Sequence, residues 1–197
     1  MSSNLDVSLS SASHDIHKKV QTRFSYYVIG SKGTFGKRIG DRIQIVRLLY
    51  DMKNDRAVVE CRIVVEDGTL MSDTRQLDMV DEKNTLHSGC AAYLLDMITA
   101  LPFVLLGSVN ENESVIKKTK FAMASFAPSQ CLNVIHSGIA PLQLKIITET
   151  VTNIQNTLHV RGEIWDIDRN VLVSYANQIK VMPRKPPSAA IKLGLKL

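Results

Sequence analysis

NTLHSGCAAYLLDMITALPF, residues 84 to 103, is the stretch on which the fold of this chain turns. From Cys90 onward it is almost wholly apolar, yet Asp96 sits inside the run and His87 stands just before it. The apolar segment from Cys90 to Leu106 approaches a membrane span in length. Asp96 and Pro102 interrupt it, and an unpaired carboxylate at mid-bilayer is costly. A helix apolar on every side is one enclosed by its own protein. The stretch therefore predicts a buried central helix that needs a sheet wrapped around it.

The flanks supply that sheet. RIQIVRLLYD (42–51) and RAVVECRIVVE (56–66) read as two strands joined by the polar turn MKNDR. Val59, Cys61 and Ile63 alternate with Glu60 and Arg62, the period of a half-buried strand. Beyond the helix, QCLNVIHSG, LQLKIITETVTNI, NTLHVRGEIWDID and NVLVSYANQIKVM read as four more strands, with short turn-like breaks. Their sequential order makes an antiparallel meander the economical arrangement. The class is α+β, an antiparallel sheet around one long apolar helix.

Residues 1 to about 12 are Ser-rich and read as disordered, and 14 to 29 as a short amphipathic helix. GSKGTFGKRIG (30–40) has the look of a phosphate loop, but five residues separate Gly30 from Gly36 and Arg38 stands where Ser or Thr would bind magnesium. It reads as a flexible glycine loop. The organisation expected is an N-terminal extension over 1–41, one domain over 42–182 and a basic, Pro-containing tail over 183–197. Segments 67–84 and 108–128 read as inserts, without a clear period of their own.

With 197 residues, 45% hydrophobic and 22% charged, the chain has the make-up of an ordinary globular protein. A net charge of +5 without a basic, aromatic-studded stripe argues against a nucleic-acid partner. Cys61, Cys90 and Cys131 form no CxxC pair, which argues against disulfides and structural zinc and for a reducing compartment. The N-terminus lacks the apolar core of a signal peptide and carries early acidic residues. The terminal LKL departs from the peroxisomal SKL address at Leu195. A cytoplasmic location is expected, with mitochondrion and peroxisome as alternatives.

The spacing of His87 and Asp96 carries chemistry. A helix turns about 100° and rises about 1.5 Å per residue, so nine residues put Asp96 on the opposite face, roughly 13 Å away. A site using both is built from two chains, as a two-fold dimer allows. His87, Ser88 and Gly89 fall at the helix start, where unpartnered N–H groups and the positive dipole end suit a developing oxyanion. A carboxylate facing that point from the partner is placed for general-base or nucleophilic work. The plain alternatives are Ser88 as N-cap, His87 as a half-buried histidine and Asp96 as a capping or pairing group.

LHSGCAAYLLDMITALPF resembles the LHGG-x6-D signature of hotdog-fold acyl-CoA thioesterases of the phenylacetate-pathway (PaaI) and thioesterase-superfamily-member type. Thr85, Leu86, His87, Gly89, Ala92, Leu95 and Asp96 stand where that motif expects them, and the resemblance covers roughly 42–182. It implies a hotdog fold and hydrolysis of an acyl-CoA to acid and coenzyme A. It also implies no metal and no cofactor beyond coenzyme A as part of the substrate, and a homodimer or dimer of dimers. It makes Asp96 the base or nucleophile and the Ser88 N–H the oxyanion donor, with His87 orienting the loop. Ser88 replaces the second glycine of the signature; Asp81 stands where the family has Asn, with Asn84 the nearest amide. The family's Ser or Thr early in the next strand aligns, through Pro141, with Cys131, leaving Ser129 and Asn133 as alternatives. Gly89, Asp81 and Asn133 are then substrate-binding. Lys117, Lys118 and Lys120, or Lys180, Arg184 and Lys185, are the candidate cations for the phosphates of coenzyme A. The second His-Ser-Gly, at 136–138, reads as coincidence, and Trp165 and Tyr175 as packing residues. The competing reading is a non-catalytic hotdog protein that binds acyl-CoA or lipid.

Overall fold

The structure is a computed structural model that describes residues 9–25, 37–64, 79–80, 85–109, 127–137, 143–154 and 157–181. In chain order the elements are β1 (Ser10–Ser11), α1 (His14–Phe24), α2 (Lys37–Gly40), β2 (Gln44–Asp51), β3 (Arg56–Val64), α3 (Ser88–Ile98), α4 (Leu101–Val109), β4 (Ser129–His136), β5 (Gln143–Ile154), β6 (Thr157–Asp166) and β7 (Val171–Val181). All strand pairs are antiparallel, in the order β1-β2-β3-β5-β6-β7-β4.

The hairpin and the four later strands fall where the alternation predicts them, with one change of topology. Only β5, β6 and β7 form the expected meander. β4 lies at the far edge on β7, and β5 pairs with β3. The extreme N-terminal segment also differs from a wholly disordered one, since Ser10–Ser11 pairs with β2 at the other edge.

The apolar run is broken once. Thr99 and Ala100 separate α3 from α4, and the cause is Pro102, which has no N–H for the Ile98 carbonyl four residues back. That carbonyl accepts instead from Thr148 Oγ1 at 3.5 Å. Together Ser88–Val109 is long and apolar enough to cross a membrane, but 78% of its most apolar window is buried inside this protein. It packs on the inner sheet face. Leu158, Val160 and Ile164 of β6 alternate inward, while Arg161, Glu163 and Trp165 face out into a ladder of charges with Arg56 and Glu149. One face in the core and one in water is the usual economy of an antiparallel sheet.

Gly162 sets how close the helix lies. A Cβ there would stand 2.7 Å from Leu95 Cδ2 and 3.3 Å from a Thr99 methyl. Its cross-strand neighbours are Thr148 and Ala176, a row of small side chains beneath α3. The predicted amphipathic helix is α1, started by Ser13, and the rest of the pattern, 26–29, lies outside the described residues; Val20 and Phe24 join the common core, and Arg23 Nη1 donates to Ser108 Oγ of α4 at 2.8 Å. The glycine loop lies outside the described residues up to 36, and 37–40 is one helical turn.

Candidate functional site

His87, rather than Ser88, caps α3. Its backbone is extended (φ −63°, ψ 130°) and its Nδ1 accepts from the Gly89 N–H at 3.0 Å. A Cβ on Gly89 would lie 3.0 Å from that same nitrogen, so glycine leaves room for the ring. The space over Gly89 is therefore occupied by histidine. The first-turn Ser88 N–H meets no acceptor among the described residues. His87, Ser88 and Gly89 are all exposed.

The approach to this helix end is tied down. The His87 N–H donates to the Met79 carbonyl at 2.8 Å, and Val80 bridges Leu86. The carbonyl of fully buried Leu86 accepts from His136 Nε2 at 2.7 Å, and His136 Nδ1 lies 2.6 Å from Ser174 Oγ. A carbonyl only accepts, so Nε2 carries a proton, and in the neutral ring the Ser174 hydroxyl donates to Nδ1. The second His-Ser-Gly is therefore no idle echo: its histidine, on edge strand β4, steadies the segment that leads into the first.

At the other end of α3, Asp96 sits half-exposed in a nest of side chains from β4 and β7. Ser129 Oγ donates to its Oδ1 at 2.5 Å, Gln178 Nε2 donates to the same oxygen, and Lys180 Nζ stands 3.4 Å from it. Every partner of the carboxylate among the described residues meets Oδ1, which leaves Oδ2 open. Gln178 also donates to Ser129 Oγ at 2.8 Å, and its amide oxygen is held by the Thr99 hydroxyl. Lys180 donates to three acceptors: the Asp96 carbonyl at 3.3 Å, Asp96 Oδ1, and Ser129 Oγ at 3.3 Å. An ammonium has three donors and no acceptor, so the charged form matches the three acceptors around it. Burial pushes the Asp96 carboxyl upward, but the Ser129 hydrogen bond, the Lys180 charge and the Gln178 amide together hold it below the ordinary carboxylate value. Burial pulls the Lys180 ammonium below its ordinary value, partly restored by Asp96.

Three sequence expectations need correction. Cys131 and Asn133 do not face Asp96. A bulge in β4 between Ser129 and Cys131 changes the alternation: Ser129 pairs with inward Lys180, whereas Cys131 pairs with Ile179. Cys131 and Asn133 then share the outer face and contact each other at 3.4 Å. Ser129, the alternative, is the hydroxyl that reaches the carboxylate. Lys180 is not a cation at a pocket mouth; it is 5% exposed and turned toward Asp96. Asp96 itself is not fully buried in the single chain, with 49% of its side chain exposed.

His87 and Asp96 have separate partners, and no contact among the described residues joins them, as the helix geometry requires of one chain. Asp81 and Asn84 lie outside the described residues, as do Lys117, Lys118, Lys120, Arg184 and Lys185. The sequence reading missed Gln178, Thr99 and the part played by His136. The available signal was the inner face of β7, where Ser174, Ala176, Gln178 and Lys180 alternate inward, polar where an apolar row is usual. No group of His, Cys, Asp or Glu among the described residues is arranged to hold a metal ion.

No protein-family model and no curated protein sequence matches the chain. Solved structures do match, through their fold. Thioesterase superfamily member 2 of zebra fish superposes with a TM-score of 0.58 at 14% identity, covering 85% of this chain and 98% of that one. The E. coli PaaI protein of the phenylacetic acid degradation operon gives 0.53 at 13% identity, over 88% and 97%. A hypothetical thioesterase from Streptococcus pneumoniae, solved with coenzyme A, gives 0.50 at 13% identity, over 75% and 90%.

Proposed function

The fold is the hotdog fold of the thioesterase superfamily, and from it we propose that the chain is an acyl-CoA thioesterase working as a homodimer. The observation that carries the reading is Asp96: a carboxylate fixed through Oδ1 by Ser129, Gln178 and Lys180, with Oδ2 meeting no partner among the described residues, on the helix whose Ser88 N–H meets no acceptor among them at its other end. In the reaction Asp96 Oδ2 takes a proton from water as the water oxygen bonds to the thioester carbon. The Ser88 N–H of the partner subunit receives the negative charge that develops on the carbonyl oxygen. The C–S bond then breaks, the thiolate leaves, and the proton held by Asp96 is released to solvent or to the thiolate. Coenzyme A as the thiol is supported by its presence in the Streptococcus pneumoniae neighbour.

The second subunit is supported by the single chain's geometry. Ser88 and Asp96 stand eight positions apart, about 12 Å of helix, too far for one substrate carbonyl to meet both from the same copy. Edge strand β4 carries Ile135 with 72% of its surface exposed and is a ready place for another copy to pair.

Thiol release from short, long and aromatic acyl-CoAs tests the reading. Turnover of at least one by the wild type, lost in Asp96→Asn with dimer and melting point intact, is the expected result. No turnover with any of them sinks it and leaves a protein that binds acyl-CoA or lipid.

A further inference from the structure

Asp96 does not stand alone in this nest, and the charge beside it has a geometry of its own. Lys180 reaches up from β7, its stem enclosed and its Nζ spread over three acceptors at 3.3 to 3.4 Å, two of which belong to Asp96 itself. One grips the backbone carbonyl at the end of α3 and the other grips Oδ1, so the ammonium fixes both the helix turn and the side chain. We propose that Lys180 is a positioning residue for Asp96, holding the carboxylate ionised and turned so that Oδ2 alone is presented to the substrate. The proposal rests on the thioesterase reading for its catalytic consequence but not for its physical content.

Among the groups that favour the carboxylate, Lys180 supplies the charge and Ser129 and Gln178 supply neutral hydrogen bonds. From β4 the carboxylate is faced by Ser129, and from β7 by Gln178 and Lys180. The inward residues of β6 beneath α3, Leu158, Val160, Gly162 and Ile164, carry no charge. On α3 itself the nearby titratable groups are Tyr93 and Cys90, both neutral in their ordinary state. Among the described residues Lys180 is the one cation acting on Asp96. Ser129 and Gln178 orient Oδ1 without adding charge, so their removal and that of Lys180 are separable.

The test compares wild type, Lys180→Met and Lys180→Arg by two readouts. The first is a ¹³C carboxyl titration of Asp96 in substrate-free protein, assigned against Asp96→Asn. The second is kcat/KM against pH with the best acyl-CoA of the panel. Methionine keeps most of the apolar stem and removes the charge. The expected result is that Asp96 titrates at higher pH in Lys180→Met and that the acid limb of kcat/KM moves the same way. Activity at the foot of that limb falls about tenfold against the plateau, the scale of losing a neighbouring opposite charge. Lys180→Arg restores both. An Asp96 titration unchanged in folded Lys180→Met overturns the proposal. Should Lys180→Met fail to fold, wild-type Asp96 titrating like an exposed aspartate overturns it equally. Absence of turnover in the wild type refutes the thioesterase reading, and the carboxyl titration then still decides the case of Lys180.

Discussion

The two ends of α3 are held by opposite means. At the N-terminal end the fixed points are backbone groups: the Met79 carbonyl accepts from His87, the Leu86 carbonyl from His136, and the Gly89 N–H donates to the His87 ring. At the Asp96 end the fixed points are mostly side chains, Ser129, Gln178, Lys180 and Thr99, converging from two strands and the C-cap of the helix. A main-chain donor end tolerates a change of side chain at Ser88, because the N–H persists. A carboxylate end depends on the identity of every neighbour. If the ends serve one reaction from opposite subunits, variants at the first should change how substrate is held, and variants at the second should change how water is activated.

The sharpest way to break that division is Asp96→Asn. It keeps the shape and the Oδ1 contacts and removes the base, so kcat should fall by about 10²–10⁴-fold, the range of a lost general base, with KM little altered. Thiol-release kinetics check it. An unchanged kcat would move the chemistry away from α3 altogether.

Next in size is Gly162→Val, aimed at the seat of the helix rather than at either end. The added Cβ would meet Leu95 Cδ2 at 2.7 Å. Overpacking of this kind costs about 1–3 kcal/mol, read by chemical denaturation. Because Leu95 and Thr99 flank Asp96, the folded fraction should lose activity through Asp96 while the His87 cap stays in place. Equal disturbance of both ends would mean that α3 moves as a rigid rod and that the comparison between its ends is too fine.

How far the sequence revealed each end follows the same division. The N-terminal end and Asp96 were legible because a helix start, a cap and a carboxylate lie in one short stretch whose period can be counted. The hairpin and the strand patterns after the helix were legible from alternation, which survives any arrangement of the strands. The order of the strands was not, because alternation does not say which edge β4 joins. The partners of Asp96 come from residues 33 to 84 positions away in sequence. One of them, Ser129, reaches the inner face only because a bulge shifts the parity of β4. In a regular strand Ser129 and Cys131 would share a face; a single inserted residue turns Ser129 inward while Cys131 stays outside, and local pattern carries no mark of it. Lys180 looked like a solvated lysine because lysine usually is one; its inward register becomes visible only once β7 is seen to place Gln178 on the same face.

His136→Ala works on the N-terminal end alone. It leaves the buried Leu86 carbonyl without its donor and Ser174 without its partner. An unmet buried acceptor costs about 1–3 kcal/mol. Hydrogen exchange should quicken at the His87 and Leu86 amides, and KM should rise more than kcat falls. His136→Gln, which keeps a donor near the position of Nε2, should recover part of both. A loss confined to kcat would place His136 with the Asp96 end and erase the distinction.

Acid stability separates the ends by charge. Asp96 titrates in the folded state below its ordinary value, with burial opposing and Ser129, Lys180 and Gln178 favouring the carboxylate. A depressed folded pKa stabilises the protein above the unfolded carboxylate value and loses that contribution as pH falls through the folded one. Asp96→Asn should therefore flatten the decline of the melting point below about pH 4, the region of an unfolded aspartate. The half-exposed side chain makes the effect modest.

The smallest effect belongs to Gly89→Ala. Its Cβ would stand 3.0 Å from His87 Nδ1 and 3.1 Å from Cε1, so the ring must give by a few tenths of an ångström or leave its cap. Alanine favours helix over glycine by about 1 kcal/mol in an interior turn, and a lost cap costs about the same. The two nearly cancel in stability, and a melting curve alone would show little. The ring is the sensitive reporter: its Nδ1 accepts from the Gly89 N–H only while it stays in place. A shifted His87 resonance with an unchanged melting point, and KM raised at constant kcat, would confirm that glycine is there for the histidine. An unmoved ring would mean that the cap absorbs the strain, and that the donor end of α3 is as tolerant of side chains as its backbone contacts imply.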